Sequence, residues 1–207
     1  MRQSEVKMNL AVMIAIVLCS VVFGMSIWIL RGMKFSVPAL TRIGVVSGVT
    51  MVLYMIKLVP FPQGGGCSLL SILPIMLLAV LYGKEEALIS AIVVALLKVV
   101  FAPPYFVMQL PLDYFGAMMA VAFVPMFGTK TKGRLLSGAV LAVLLSTFFS
   151  ILSGTIFFGQ YAPEGMNPWL YATIYNLLGY GVEAALSVMV LILIADKFKQ
   201  KINPEVA

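Results

Sequence analysis

Residues 134–158 read RLLSGAVLAVLLSTFFSILSGTIFF, one arginine followed by 24 residues without a charge, an amide or a proline. As a helix rising about 1.5 Å per residue, such a run crosses the roughly 30 Å hydrocarbon core of a bilayer. Lys130 and Lys132 precede it and Gly159 follows it, so both ends are marked. Outward from this stretch, apolar runs broken at Gly, Pro and charge recur along the whole chain. They divide it into seven segments, about 8–30, 41–59, 68–82, 85–101, 111–127, 134–158 and 169–196. The expected fold class is an all-α integral membrane protein. Segments 68–82 and 111–127 are short for a perpendicular span and are expected to sit partly behind their neighbours, away from lipid.

Composition agrees. The 207 residues are 62% hydrophobic and only 11% charged, with a mean hydropathy of +1.07, against roughly 25% charge in a soluble domain. Six or seven spans use up the length, so no ATPase or kinase domain fits, and no Gly-x-x-x-x-Gly-Lys-[Ser/Thr] phosphate loop occurs. Energy for any transport must come from a partner or a gradient. There is no histidine, and Cys19 and Cys67 fall in different segments. A disulfide framework, a cysteine-rich zinc site and a histidine base are therefore not expected, nor is a metal or cofactor.

Charge sets the expected orientation. Under seven-span alternation Arg31, Lys34, Arg42, Lys84, Lys130, Lys132, Arg134, Lys197, Lys199 and Lys201 all fall on one face, which the positive-inside rule assigns to the cytoplasm together with the C-terminus. The opposite loops, 60–67, 102–110 and 159–168, hold no Lys or Arg and one acid, Glu164. Topology thus accounts for the net charge of +6, and no nucleic-acid surface is indicated. Segment 8–30 is read as an uncleaved helix with its N-terminus outside, because the run reaches Leu30, long for a signal sequence. Arg2 and Lys7 oppose that orientation. Leu18 stands where lipidation of Cys19 would need a small residue.

Four ionisable residues fall inside spans, where each costs about 2.5–3.5 kcal/mol on insertion scales: Lys57, Lys98, Asp113 and Glu183. The lysines lie near outer helix ends, and the favoured reading is that their stems snorkel to the interface. Asp113 and Glu183 have shorter stems and need a partner or a watery cavity. Asn176, Tyr180, Glu183 and Ser187 share one helical face, as do Ser146, Ser150, Ser153 and Phe157. Serines of this kind serve either packing or cavity lining. Aromatics gather at the outer mouths only: Tyr105, Phe106, Tyr114, Phe157, Phe158, Tyr161, Trp169, Tyr171 and Tyr175. Beside Asp113, Glu183 and Gly64-Gly65-Gly66, they suit an outward pocket for a flat cationic molecule.

Several of these stretches resemble the thiamine-specific S component of energy-coupling factor (ECF) vitamin transporters. They are Gln63-Gly64-Gly65-Gly66 with Leu73-Pro74, Leu112-Asp113-Tyr114, Leu152-Ser153-Gly154 with Phe157-Phe158-Gly159, and above all YAPEGMNPWLY at 161–171 with Tyr175-Asn176. The resemblance covers about 40–198 and implies a six-helix substrate-binding core, 41–198, preceded by an extra transmembrane helix and loop, 1–40, and followed by a cytoplasmic tail, 199–207. It implies capture of thiamine from outside a bacterial plasma membrane, then ATP-driven uptake with a transmembrane coupling protein and two cytoplasmic ATPases, and no catalysis by this chain. Asp113 matches the family's acidic ligand residue, Tyr114 its aromatic neighbour, Phe158 a stacking aromatic, and Tyr171 and Asn176 residues that reach the substrate. Glu183 matches an acid of the last helix, and Gly65 is counted with the substrate-binding residues, in a glycine run that allows close backbone approach. Gly44 and Gly48, spaced by four, match the small-residue coupling surface; intramolecular packing explains the same spacing.

Two departures stand out. Ser150 occupies the position of a family histidine, so either the pocket is rearranged or the ligand is a relative such as the hydroxymethylpyrimidine half of thiamine. Helix 8–30 is additional. A stand-alone secondary transporter or a membrane enzyme using Asp113 and Glu183 is the reading from another class.

Overall fold

The computed structural model describes the backbone of residues 2–202 and the side chains of residues 10–201. The side chains of Arg2 and Lys7, and residues 203–207 of the expected tail, lie outside the described residues.

Helices begin where the chain supplies a cap. α2 (Val37–Met55) follows Ser36, whose Oγ accepts the Ala39 amide at 3.3 Å, and has Pro38 in its first turn. α6 (Lys132–Phe157) is capped by Thr131, and α7 (Pro168–Asn176) by Asn167, whose Oδ1 accepts the Trp169 amide at 2.9 Å. α1 (Arg2–Leu30) precedes them. Between α3 (Leu73–Tyr82) and α4 (Lys84–Phe101) a single residue, Gly83, makes the turn at φ 106°, a conformation open to glycine. A π-helical segment, Leu110–Gly116, runs into the short α5 (Ala117–Val121), and a second, Leu177–Gly181, joins α7 to α8 (Val182–Ile202).

Among the described residues, four helical stretches are long and apolar enough to cross a membrane: Leu10–Leu30, Val37–Met55, Lys132–Phe157 and Pro168–Lys201. Their outward faces carry exposed Ile16, Trp28, Val45, Val52, Leu144, Met189 and Leu193, the surface that lipid covers. The two short segments sit inside, as expected. α3 buries Ile75, Met76, Leu78 and Ala79, and every residue from Gly116 to Val124 is buried. A helix too short to span is tolerated there because neighbouring helices, rather than lipid, surround it.

The expected span 41–59 is cut short. Its helix ends at Met55, and Lys57–Pro60 forms strand β1, paired antiparallel with β2 (Gly66–Ser68) in a small hairpin. The apolar pair Leu58-Val59 concealed the change from helix to strand. Between the strands Gln63 and Gly64 take positive φ values of 55° and 78°. Consequently segment 68–82 starts as a helix only at Leu73.

Arg42, Lys84, Lys132 and Lys199 lie at the helix ends opposite this hairpin, whereas Lys57 belongs to it. Arg42 forms a two-point ion pair with Glu86 at 2.6 and 2.9 Å and lies over the Tyr82 ring, tying α2 to the start of α4. Lys199 donates to the Thr129 carbonyl at 2.5 Å. α1 packs through Ala11, Ala15, Val22, Ser26 and Ile29 against α6, α4 and the Leu110–Gly116 segment. It leaves the outer face of α2 uncovered: a Cβ on Gly44 or Gly48 would meet nothing within 4 Å.

Candidate substrate-binding site

A cavity of about 260 Å³ opens at the hairpin end of the bundle, near the lower limit of small-molecule sites at about 300 Å³. Its floor is the Leu110–Gly116 segment and α5, its walls are α4, α6, α7 and the Leu177–Gly181 segment, and its rim is the hairpin turn. π-helical turns widen a helix and re-aim its side chains. Here two of them border one cavity and present Asp113 and Tyr180 to it.

Asp113 is the focus. Its Oδ2 accepts hydrogen bonds from Ser153 Oγ at 2.5 Å and Gln109 Nε2 at 3.1 Å, and the Ser150 hydroxyl also stands beside the carboxylate; among the described residues no donor lies within hydrogen-bond distance of Oδ1. Gln109 is fixed in turn, because its Oε1 accepts the Phe106 amide at 2.8 Å. One carboxylate oxygen is therefore oriented by the protein and the other is left for a ligand. Tyr114 anchors its hydroxyl on the Ala102 carbonyl at 2.5 Å and offers its ring. Ser146 donates to the Ala117 carbonyl at 2.7 Å, so in its 2.6 Å contact with Tyr180 the tyrosine is the donor.

The aromatic wall is built at the α6–α7 mouth. Phe158 meets Tyr105 and Phe106 edge-on, at 6.0 and 5.6 Å between centroids, and Tyr161 at 6.1 Å. Tyr171 and Tyr175 stand 6.0 Å apart on the next helix. Of the aromatics expected at a pocket, Tyr105, Tyr114, Phe158, Tyr171 and Tyr175 line it; Phe157 stacks on Phe106 at 6.1 Å instead, behind the wall. Asn176 lines the cavity and donates through Nδ2 to the carbonyls of Ala172, at 2.9 Å, and Ser150, at 3.3 Å. Ser150 faces the cavity one helical turn before Gly154.

Glu183 reaches the cavity wall, but its carboxylate is engaged. Buried at 2% exposure, it accepts the Ser68 amide at 3.0 Å on one oxygen, and the Ser71 amide and hydroxyl at 2.7 and 2.5 Å on the other. Those donors are the open N–H groups where β2 turns toward α3, so the acid of the last helix holds the hairpin in place. Tyr175 adds a second tie, its hydroxyl donating to the Pro62 carbonyl. A Cβ on Gly65 would fall onto that hydroxyl. Gly65→Ala is expected to push Tyr175 or the turn aside and weaken ligand binding by about 1–3 kcal/mol, the scale of overpacking. Binding and thermal stability measured together check it: an equal loss in both would mean general damage.

The lysines correct the snorkelling expectation. Both line the cavity. Lys98 is 9% exposed with Nζ 4.6 and 4.9 Å from the ring centres of Tyr54 and Tyr114, and Lys57 donates to Ser68 Oγ at 2.9 Å with Nζ 3.9 Å from the Tyr54 ring. Rings that face the cavity hold the ammonium groups there. Sequence reasoning also missed Tyr54 and Gln109. The signal for Gln109 was its place one turn before Asp113; Tyr54 lay inside 41–59, which read only as an apolar span. Cys67 lies in the hairpin, where burial pushes its thiol up.

Membrane-length helices around a cavity with aromatic walls and one half-free carboxylate define a multi-pass solute-binding membrane protein. The comparisons with known proteins agree. Residues 40–203 match the family described as thiamine transporter protein (Thia_YuaJ), and the chain belongs to that family, a family of transporters rather than enzymes. It is 28% identical to the thiamine transporter ThiT of Bacillus subtilis over 153 residues, 66% of this chain and 79% of that one. A shorter match, 34% over 47 residues and 23% of each chain, is to the thiamine transporter ThiT of Lacticaseibacillus paracasei. The solved structure of ThiT from Listeria monocytogenes superposes with a TM-score of 0.66 at 18% identity, covering 81% of this chain and 96% of that one. The expected all-α membrane fold agrees with that likeness. The family match begins at residue 40, inside α2, and α1 precedes it.

Proposed function

We propose that this protein captures thiamine from outside the cell and, as the S component of an ECF-type importer, delivers it for ATP-driven uptake with a coupling protein and two ATPase subunits. The observation that carries the reading is Asp113: a carboxylate oriented on one oxygen and open on the other, within an aromatic cavity of heterocycle size. In this reading Asp113 receives the amino-heterocycle, and Tyr114, Phe158 and Tyr171 supply ring faces. Asn176 and Ser150 give polar contacts, Gly65 lets the turn close over the ligand, and Glu183 holds that turn. Residues 41–198 form the binding core and 1–40 an added helix. The basic end faces the cytoplasm with the C-terminus, and the cavity faces outward.

The uncovered Gly44 and Gly48 on α2 support a coupling contact on that helix, because no part of the described chain packs there. Ser150 at the cavity wall supports a second ligand, the hydroxymethylpyrimidine half of thiamine. A calorimetric titration of the detergent-purified chain, washed of copurified ligand, tests both. Submicromolar one-to-one thiamine binding is expected; binding of the pyrimidine alone moves the assignment to that fragment. Uptake into vesicles that persists without ATPase subunits would make the protein a stand-alone transporter.

A further inference from the structure

α1 precedes the residues that match the family, 40–203, yet its inner face touches the segment that carries Asp113. Ala11, Ala15, Cys19, Val22, Ser26 and Ile29 recur three or four residues apart, on one side of the helix. All but Cys19 are at most 9% exposed, and Cys19 packs half-buried against the core. Lipid tails are as apolar as these side chains, so burial alone gives α1 no reason to dock; close approach through small residues does. Although only residues 31–36 join α1 to α2, this face docks on α6, α4 and the Leu110–Gly116 segment. Cys19 Sγ stands 3.8 Å from the Pro111 carbonyl, two residues before Asp113. Toward α6, a Cβ on Gly116 would fall 2.6 Å from the Phe149 ring and 2.8 Å from that same carbonyl. The segment is thus seated between two helices, α1 at Pro111 and α6 at Gly116, and Asp113 lies between these points along the chain.

We propose that α1 is a positioning element for ligand binding: it seats the Leu110–Gly116 segment against α6, sets the aim of Asp113, and is coupled through that segment to occupancy of the cavity. Cys19 and Ala15 are the positioning residues, and neither touches the ligand. The inference rests on the thiamine reading for its ligand and adds a helix that the family match does not include. Coupling between two sites is reciprocal, so displacing α1 weakens the ligand and the ligand holds α1 down. A helix that only anchored the chain in the membrane would not respond to the ligand.

Full-length protein carrying Ser26→Cys, a near-isosteric change at a position 1% exposed, tests the response to ligand. N-ethylmaleimide reaches position 26 only when α1 lifts, and mass spectrometry separates that site from Cys19 and Cys67. Saturating thiamine is expected to slow alkylation at 26 severalfold. Calorimetry tests the converse. Cys19→Phe, wedged against Pro111, and Ala15→Leu, one turn away on the same face, are expected to raise the Kd for thiamine about tenfold, within the scale of overpacking. Cys19→Ser, and Val17→Phe on the exposed face, are expected to leave it unchanged. In ligand-free protein, hydrogen exchange of 110–117 should rise in the two wedged variants and not in Val17→Phe. An unchanged Kd in both wedged variants, an equal loss in Val17→Phe, or alkylation at 26 indifferent to thiamine overturns the positioning role and leaves the thiamine reading standing. Failure of the parent to bind thiamine overturns that reading instead, and exchange of 110–117 then decides the role of α1: a rise confined to the wedged variants supports it, and no rise overturns it.

Discussion

Asp113→Asn is expected to weaken thiamine binding by about 1–3 kcal/mol, roughly 5- to 150-fold in Kd. The substitution keeps the volume and hydrogen-bonding shape of the side chain, and an amide oxygen can still accept from Ser153 and Gln109 as Oδ2 does. What it removes is the charge, and it puts an N–H₂ donor where Oδ1 faces the cavity. Thermal stability of the ligand-free protein should therefore stay close to that of the parent while calorimetry registers the loss. An unchanged Kd would take Asp113 out of ligand recognition altogether.

Glu183→Ala should act in the opposite order, on stability first. The carboxylate accepts from two backbone amides and one hydroxyl, all at buried positions. Truncation leaves those donors without an acceptor in a place water reaches poorly. At about 1–3 kcal/mol for each of the three buried donors left unsatisfied, the loss is roughly 3–9 kcal/mol, a large part of the stability of most folds. The hairpin would detach from α8, and ligand binding would fall because the turn no longer covers the cavity. A thermal melt measured with and without ligand separates the two variants. Asp113→Asn should melt normally and show a smaller ligand-induced rise, whereas Glu183→Ala should melt early in either condition. A normal melt for Glu183→Ala would show that the hairpin is held by its strand pairing and Tyr175 alone.

Much of this arrangement was legible in the sequence because lipid imposes a simple rule. Long runs such as 134–158 admit one reading, and the clustering of basic residues separates the two ends of the bundle. The short segments 68–82 and 111–127 were legible as buried pieces for the same reason: their length did not reach across. The hairpin was not, because Leu58 and Val59 are as apolar as the helix before them, and hydropathy carries no information on backbone conformation. At the site, Asp113 was conspicuous as a short acid in an apolar run. The lysines misled because a long stem near a helix end has two destinations, interface and cavity, and only the positions of Tyr54 and Tyr114 decide between them. Glu183 was found as a buried acid, yet its partners are backbone amides, which every residue but proline possesses and no pattern can single out.

The two π-helical segments carry a further consequence, which concerns phase. In an α-helix each residue turns the chain by about 100°, and a π turn holds one residue more than the α turn it replaces. The extra residue within 110–116 therefore sets the rotational offset between the stretch bearing Gln109 and Asp113 and the buried helix α5 that follows it. Loss of a single residue there would return the segment to α geometry, closing the widened turn and re-aiming the carboxylate relative to α5. Hydropathy, span count and charge distribution would be almost the same as before. The aim of the binding carboxylate is thus encoded as the count of residues in one turn, a quantity that insertions and deletions can reset without disturbing the membrane architecture at all.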